Sequence, residues 1–148
     1  MSDFHSSFPC PFCHFLPVSL PTSSQLWRTL SDRRRLFLFA GPCVIESEEL
    51  CLAIARSLKR TCAALGMPFV FKASFDKANR SSGGAFRGPG LEDGLAVLAR
   101  IRQQVGVHVM TDVHTEDQAI AAAEVCDILQ IPAFLCRQTD LILAAVGT

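Results

Sequence analysis

Lys72, Lys77, Asn79, Arg80, Ser81 and Ser82 fall within eleven residues, directly behind the apolar run Phe69-Val70-Phe71. Arginine offers a forked pair of donors, lysine a compact point charge, and serine and asparagine neutral hydrogen bonds. A strand that empties into such a cluster suits a site for anionic, phosphorylated substrates. The same residues also describe a solvated basic surface loop. The Gly-rich continuation, Ser82 to Gly90, matches neither a P-loop nor a dinucleotide fingerprint, so nucleotide binding is disfavoured. Further residues with chemistry are Cys43 behind Gly41-Pro42, Asp112 and His114 in Thr111-Asp112-Val113-His114, Gln130, and the pentapeptide Cys10-Pro11-Phe12-Cys13-His14.

The elements that must position these residues follow from hydrophobic periodicity. A short continuous apolar run at 36–40 predicts a strand buried on both faces, and the Val/Ile/Phe/Leu-rich stretches 69–71, 107–110 and 127–131 predict three more strands. Between them lie helical spacings. Ser47 predicts a cap, with Glu48 and Glu49 in the first turn, and Leu50, Ile54, Leu58, Cys62 and Leu65 keep one face before Gly66. Leu91, Leu95, Leu98 and Val105 define a second helix ending at Gly106, Thr115 caps a third that runs to Ala123, and Thr139 or Asp140 starts a fourth. The order β-α-β-α-β-α-β-α predicts an α/β fold with a parallel sheet. Cys43, Lys72, Asp112 with His114, and Gln130 all come just after strands, and the carboxyl ends of strands form the site in such folds. That shared edge favours a binding site over a surface loop.

Composition narrows the class. With 148 residues, 49% of them hydrophobic, the chain can bury a core. A formal net charge of zero gives no reason to expect nucleic acid or an anionic membrane as partner, and no apolar run approaches a membrane span. Seven cysteines in no regular spacing, several inside apolar segments, read as small hydrophobes of a reduced, cytoplasmic protein. Residues 1–35 differ from the rest: Pro, Ser and Phe dominate, prolines stand at 9, 11, 17 and 21, and Arg33-Arg34-Arg35 follows. They are expected to be a disordered leader, with the folded part at 36–148. CPFCH has the spacing of covalent haem attachment, which makes a c-type haem carrier an alternative in another functional class. A zinc site from those residues would need a second ligand pair.

Five motifs, AGPCVIES (40–47), FKASFDKANRSS (71–82), FRGPGL (86–91), TDVH (111–114) and LQIPAFLCRQTDL (129–141), resemble 3-deoxy-D-manno-octulosonate 8-phosphate synthases. The resemblance runs without a gap from about Phe37 to Val146 and has the five motifs in order. It implies a (β/α)₈ TIM barrel of the aldolase type, here about four β/α units of it. It also implies condensation of phosphoenolpyruvate with D-arabinose 5-phosphate in lipopolysaccharide biosynthesis. Carbon 3 of phosphoenolpyruvate attacks the aldehyde, water attacks carbon 2, and phosphate leaves. Two highly charged anions side by side require dense cations. By resemblance, Lys72, Lys77 and Gln130 hold phosphoenolpyruvate. Asn79, Arg80 and Ser81 hold the sugar phosphate end, and Arg137 reaches the sugar phosphate of a neighbouring subunit. Lys77, Asp112 and His114 stand near the reacting carbons, although TDVH also reads as a plain lead into the third helix.

Cys43 resembles the metal-dependent class, which implies a divalent ion such as Zn, Fe or Mn. The related 3-deoxy-7-phosphoheptulonate synthases share the AGPC opening but carry a KPRTS-like loop where this chain has KANRSS. A closed barrel needs about 250 residues. The family's other metal ligands, a further phosphate-binding Lys and further Arg residues are therefore expected beyond Thr148. The 148-residue chain is expected to be a fragment, inactive alone, or a non-catalytic half-barrel that pairs with another half. At full length the resemblance implies a homo-oligomer, a tetramer.

Overall fold

A computed structural model describes residues 20–78, 84 and 86–148. Four strands, β1 (Leu38–Ala40), β2 (Phe69–Lys72), β3 (His108–Asp112) and β4 (Ile128–Gln130), form one sheet in the order β1-β2-β3-β4. Every pairing is parallel, with Ala40 opposite Phe71, Lys72 opposite Met110 and Asp112 opposite Gln130. The connections contain α2 (Glu48–Ala64), α3 (Leu91–Val105) and α4 (Glu116–Ala123), and α5 (Thr139–Val146) follows β4 through a 3₁₀ turn at Ala133–Leu135. This is the expected α/β architecture, and it is consistent with part of a TIM-barrel type fold.

The helix ends are where the sequence puts them. Ser47 accepts from the backbone N–H of Leu50, and Thr115 from that of Gln118. Gly106 closes α3 at φ 66°, the left-handed region that favours glycine.

Pleating sorts the side chains into two faces. Phe71, Ala73, Phe75, Val109, Val113 and Leu129 join the main core with α2, α3, α4 and α5. The opposite face is divided along its length. At the amino ends of the strands, Val70, Met110 and Ile128 are apolar. At the carboxyl ends, Lys72, Asp112 and Gln130 are polar. Buried Cys51 and Cys126 act as small packing groups, and burial pushes their thiols up to about 11 and about 12.

Two expectations change. The first concerns the leader: Ser23–Leu30 is a helix, α1, within the stretch expected to be disordered. All four prolines of that stretch precede Thr22, so none interrupts the helix. Thr22 accepts from the Gln25 backbone N–H, and Gln25 Oε1 accepts from Thr22 N–H at 2.8 Å, a reciprocal capping box. Leu26 and Leu30, one turn apart, cover the apolar patch of Val70, Met110 and Ile128. The CPFCH pentapeptide lies outside the described residues.

The second change concerns β1, expected to be buried on both faces. It is shorter than predicted, and Phe39 within it is exposed. Among the described residues β1 has a neighbour on one side only, so its flank lacks cover.

At the amino ends of β3 and β4, Asp127 is enclosed by partners. Arg102 Nη2 donates to Oδ1 at 3.0 Å and Nε to Oδ2 at 3.2 Å, and the Val109 backbone N–H reaches Oδ2 at 2.9 Å. His108 Nδ1 lies 3.0 Å from Oδ1, although its ring is not aligned for a straight hydrogen bond. Burial pushes the carboxyl pKa up. His108, Arg102 and the Val109 N–H together outweigh it and hold the group at about 2, against an ordinary 3.8. The native state thus favours the ionised form. The resulting stability, about 2 kcal/mol, is complete above the ordinary value and is lost as pH falls from about 4 to about 2. Asp127→Asn is expected to lower the urea midpoint at pH 7 and to flatten its decline across that acid window, measured by circular dichroism.

Candidate active site

The parallel register gathers the candidate residues on one edge of the sheet. Lys72 ends β2, Asp112 ends β3 beside it, and Ser74 extends the β2 line by two residues onto the same face. Ser74 is wholly buried and pairs in parallel with Val44, next to Cys43, so β1's continuation also reaches this point.

The side chains form one connected network. Lys77 Nζ donates to Ser74 Oγ at 2.7 Å, and Lys72 Nζ donates to the same oxygen at 3.1 Å. The Ser74 hydroxyl in turn donates to Asp112 Oδ1. Lys72 Nζ also stands 3.4 Å from Asp112 Oδ1. On the other carboxylate oxygen, His114 Nε2 lies 3.4 Å from Oδ2. The imidazole is held on its far side by Gln118, whose Oε1 accepts from the His114 backbone N–H at 2.9 Å and lies 3.3 Å from Nδ1. Phe75 meets the ring edge-on, with centroids 6.3 Å apart.

Burial pushes the Asp112 carboxyl pKa up. The Ser74 hydrogen bond and the charges of Lys72 and Lys77 pull it down further, leaving it below the ordinary carboxylate range. Asp112 is therefore ionised at neutral pH. Its charge offsets one of two ammoniums, and the cluster keeps a positive excess. With spare N–H bonds on both lysines, this arrangement can take an oxyanion.

The loop beyond β2 is built around Phe75. Its backbone oxygen accepts from Gly90 N–H at 3.1 Å, and Lys77 N–H donates to Arg87 O at 2.7 Å. Arg87 forks onto Asp76, with Nε to Oδ1 at 2.8 Å and Nη2 to Oδ2 at 2.6 Å. A Cβ on Gly94 would meet the Phe75 side chain, so α3 needs glycine for this close approach. Gly88 has φ 120°, and a Cβ there would run into the Phe75 carbonyl oxygen.

Of the residues named from sequence, Lys72, Lys77, Asp112 and His114 converge. Gln130 lies beside Asp112 in register, with its backbone oxygen accepting from Val113 N–H at 3.0 Å. Cys43 is exposed at the same edge. Arg137 is exposed between the 3₁₀ turn and α5, and belongs to no contact in the cluster. Asn79, Arg80 and Ser81 lie outside the described residues. TDVH leads into α4, which Thr115 caps, and its His114 faces Asp112. Ser74 was missed. The available signal was its place two residues after Lys72, on the same pleat.

For a divalent metal, the described residues do not make a site. Cys43 supplies one thiolate, and no group of three His, Cys, Asp or Glu side chains converges among the described residues. Nor is any described helix long and apolar enough to cross a membrane.

The model of the DAHP synthetase I family matches residues 28–148. The chain is 66% identical over 111 residues to a 2-dehydro-3-deoxyphosphooctonate aldolase of Paracidovorax citrulli, which covers 75% of this chain and 39% of that protein. It is 62% identical over 112 residues to the Verminephrobacter eiseniae protein of the same name, covering 76% and 39%. A Synechococcus protein, again of that name, is 58% identical over 120 residues, covering 81% and 42%. That name denotes the synthase family which the five motifs resemble. The chain thus spans about two-fifths of the length of the curated relatives it matches.

The loop anchoring generates a test. Gly88→Ala forces a side chain into left-handed backbone and against the Phe75 carbonyl, a strain on the order of 1–3 kcal/mol. Its urea midpoint should fall accordingly, whereas Gly84→Ala, whose Cβ meets nothing within 4 Å, serves as the control.

Proposed function

We propose, for a chain that belongs to the DAHP synthetase I family, that the cluster at the strand ends binds the phosphoenolpyruvate of a 3-deoxy-D-manno-octulosonate 8-phosphate synthase. The observation that carries this reading is the convergence of Lys72 and Lys77 on one buried hydroxyl beside Asp112. Two ammoniums held together, with one carboxylate charge between them, suit a small multiply charged anion better than a neutral ligand.

In this reading Lys72 and Lys77 bind and orient phosphoenolpyruvate, placing carbon 3 for attack on the aldehyde of D-arabinose 5-phosphate. Gln130 lines the same pocket. Asn79, Arg80 and Ser81 receive the sugar phosphate end, and Arg137 reaches the sugar phosphate of a neighbouring subunit in a homo-oligomer. Asp112 and His114 shape the wall near the reacting carbons, and Lys77 stands closest to both roles. Cys43 is the one ligand these residues offer a divalent ion, and no step is assigned to it. The complete condensation is proposed for the full-length architecture of the relatives, in the cytoplasm, and the anion-binding part of it for this chain.

Isothermal titration of phosphoenolpyruvate into the purified chain tests the assignment. Binding is expected, and Lys72→Ala and Lys77→Ala should each weaken it by roughly tenfold or more, the worth of one charged hydrogen bond. Equal affinity in the wild type and both variants, or no binding at all, would refute it. Added D-arabinose 5-phosphate should not lead to phosphate release by this polypeptide alone. Turnover under those conditions would show that these residues hold a complete catalytic site.

A further inference from the structure

We propose that Ser74 is the positioning residue of this site: its hydroxyl, fixed within the sheet, sets where the Lys72 and Lys77 ammoniums stand relative to Asp112. This role rests on the phosphoenolpyruvate reading and extends it to a side chain that solvent does not reach.

The hydrogen-bond inventory admits one arrangement. A serine hydroxyl has one proton and two lone pairs. An ammonium only donates, and an ionised carboxylate only accepts. With Lys72 and Lys77 both donating to Oγ, the hydroxyl proton must point to Asp112 Oδ1, where its partner lies. The group is then saturated and has no rotational freedom left.

Ser74 is also fixed through its backbone. Its carbonyl accepts from Ile45 N–H at 3.0 Å, and Val44 pairs with it in parallel. On one side, Ala73 N–H donates to Met110 O at 3.2 Å. On the other, Phe75 is packed into the main core. Each lysine, by contrast, carries a flexible four-carbon stem with many rotamers to lose. A rigid acceptor shared by two flexible donors decides where both charges come to rest.

Lys77 shows why the carboxylate does not suffice. Lys72 is within ion-pair distance of Asp112, whereas the contact that ties Lys77 to the network runs to Ser74. Without the hydroxyl, Lys77 keeps its charge but loses its address. Lys72 keeps a direct partner.

The chain's three lysines are Lys59, Lys72 and Lys77, so ¹⁵N-lysine labelling gives a spectrum that can be assigned fully. Lys59 donates to Val105 O at 2.5 Å, outside this network, and serves as the internal reference. Removing the hydroxyl with Ser74→Ala is expected to speed Nζ proton exchange at Lys72 and Lys77, Lys77 most, by roughly tenfold for one lost charged hydrogen bond. Lys59 should be unchanged, and Ser74→Thr, which retains the hydroxyl, should restore slow exchange. If the alanine variant does not fold, Ser74→Cys replaces the hydroxyl with a slightly larger thiol that is only a weak acceptor, and should show the same loss. Unchanged exchange at both site lysines, in a variant whose Lys59 signal is native, overturns the role. Titrating phosphoenolpyruvate into the same samples separates the two readings. No ligand-induced shift at Lys72 and Lys77 of the wild type would count against the substrate while exchange alone judges Ser74. Equal affinity in the wild type and Ser74→Ala would count against Ser74 alone.

Discussion

A carboxylate buried at the end of a central strand must find compensation, or it costs several kcal/mol. Asp112 is that carboxylate, and its neighbours are arranged around the requirement. Ser74 and Lys72 approach one of its oxygens, and His114 the other. These partners come from β2 and its extension and from the turn after β3, so the charge can be met only when the strands are parallel and in register. A slip of one residue would turn Lys72 and Ser74 into the apolar core. The same register that satisfies the carboxylate therefore aims two ammoniums at one place.

The sheet contains a second buried carboxylate, and the contrast between the two separates structure from chemistry. Asp127, at the amino ends of β3 and β4, is closed off by Arg102, His108 and a backbone N–H. It joins strand, loop and helix, with both carboxylate oxygens met by the Arg102 fork. Asp112 instead faces lysines whose N–H bonds exceed what Ser74 and the carboxylate can accept. The excess donor capacity distinguishes the carboxyl ends of the strands from their amino ends. Toward the amino ends, Leu26 and Leu30 of α1 cover the apolar part of the same face. The polar edge thus adjoins a covered apolar patch, and charge interactions are stronger beside such a surface than in water.

Much of this was legible in the chain. Ser47 and Thr115 cap helices because a β-region serine or threonine can accept an unpaired first-turn N–H, a property of the residue and its immediate neighbours. Apolar runs predicted the four strands to within two residues at each end. Lys72, Lys77, Asp112 and His114 stand out in the sequence because they follow directly behind apolar runs, and the fold brings their side chains together. What escaped was of two kinds. Helix α1 was hidden by the prolines that precede it, although Thr22 and Gln25 carry a recognisable capping box. Ser74 was hidden by its chemistry, since one serine among polar neighbours gives no compositional signal until its surroundings are known.

By itself, then, the sequence determined the order of the elements from β1 onward, the caps at Ser47 and Thr115, the parallel sheet and the family whose motifs it carries. All of these depend on contacts between residues near one another in the chain, or on patterns that survive as written text. The tertiary structure alone decided which polar residues share partners. Lys72 and Lys77 meet at Ser74 Oγ, which is oriented by Asp112, 38 positions further on, while Ile45 N–H on the Ser74 carbonyl and Met110 O on the Ala73 N–H hold the backbone around it. Hydrogen-bond saturation is a property of what surrounds an atom in space. A hydroxyl that reads as unremarkable between Ala73 and Phe75 becomes the fixed point of the site only when three strands close around it.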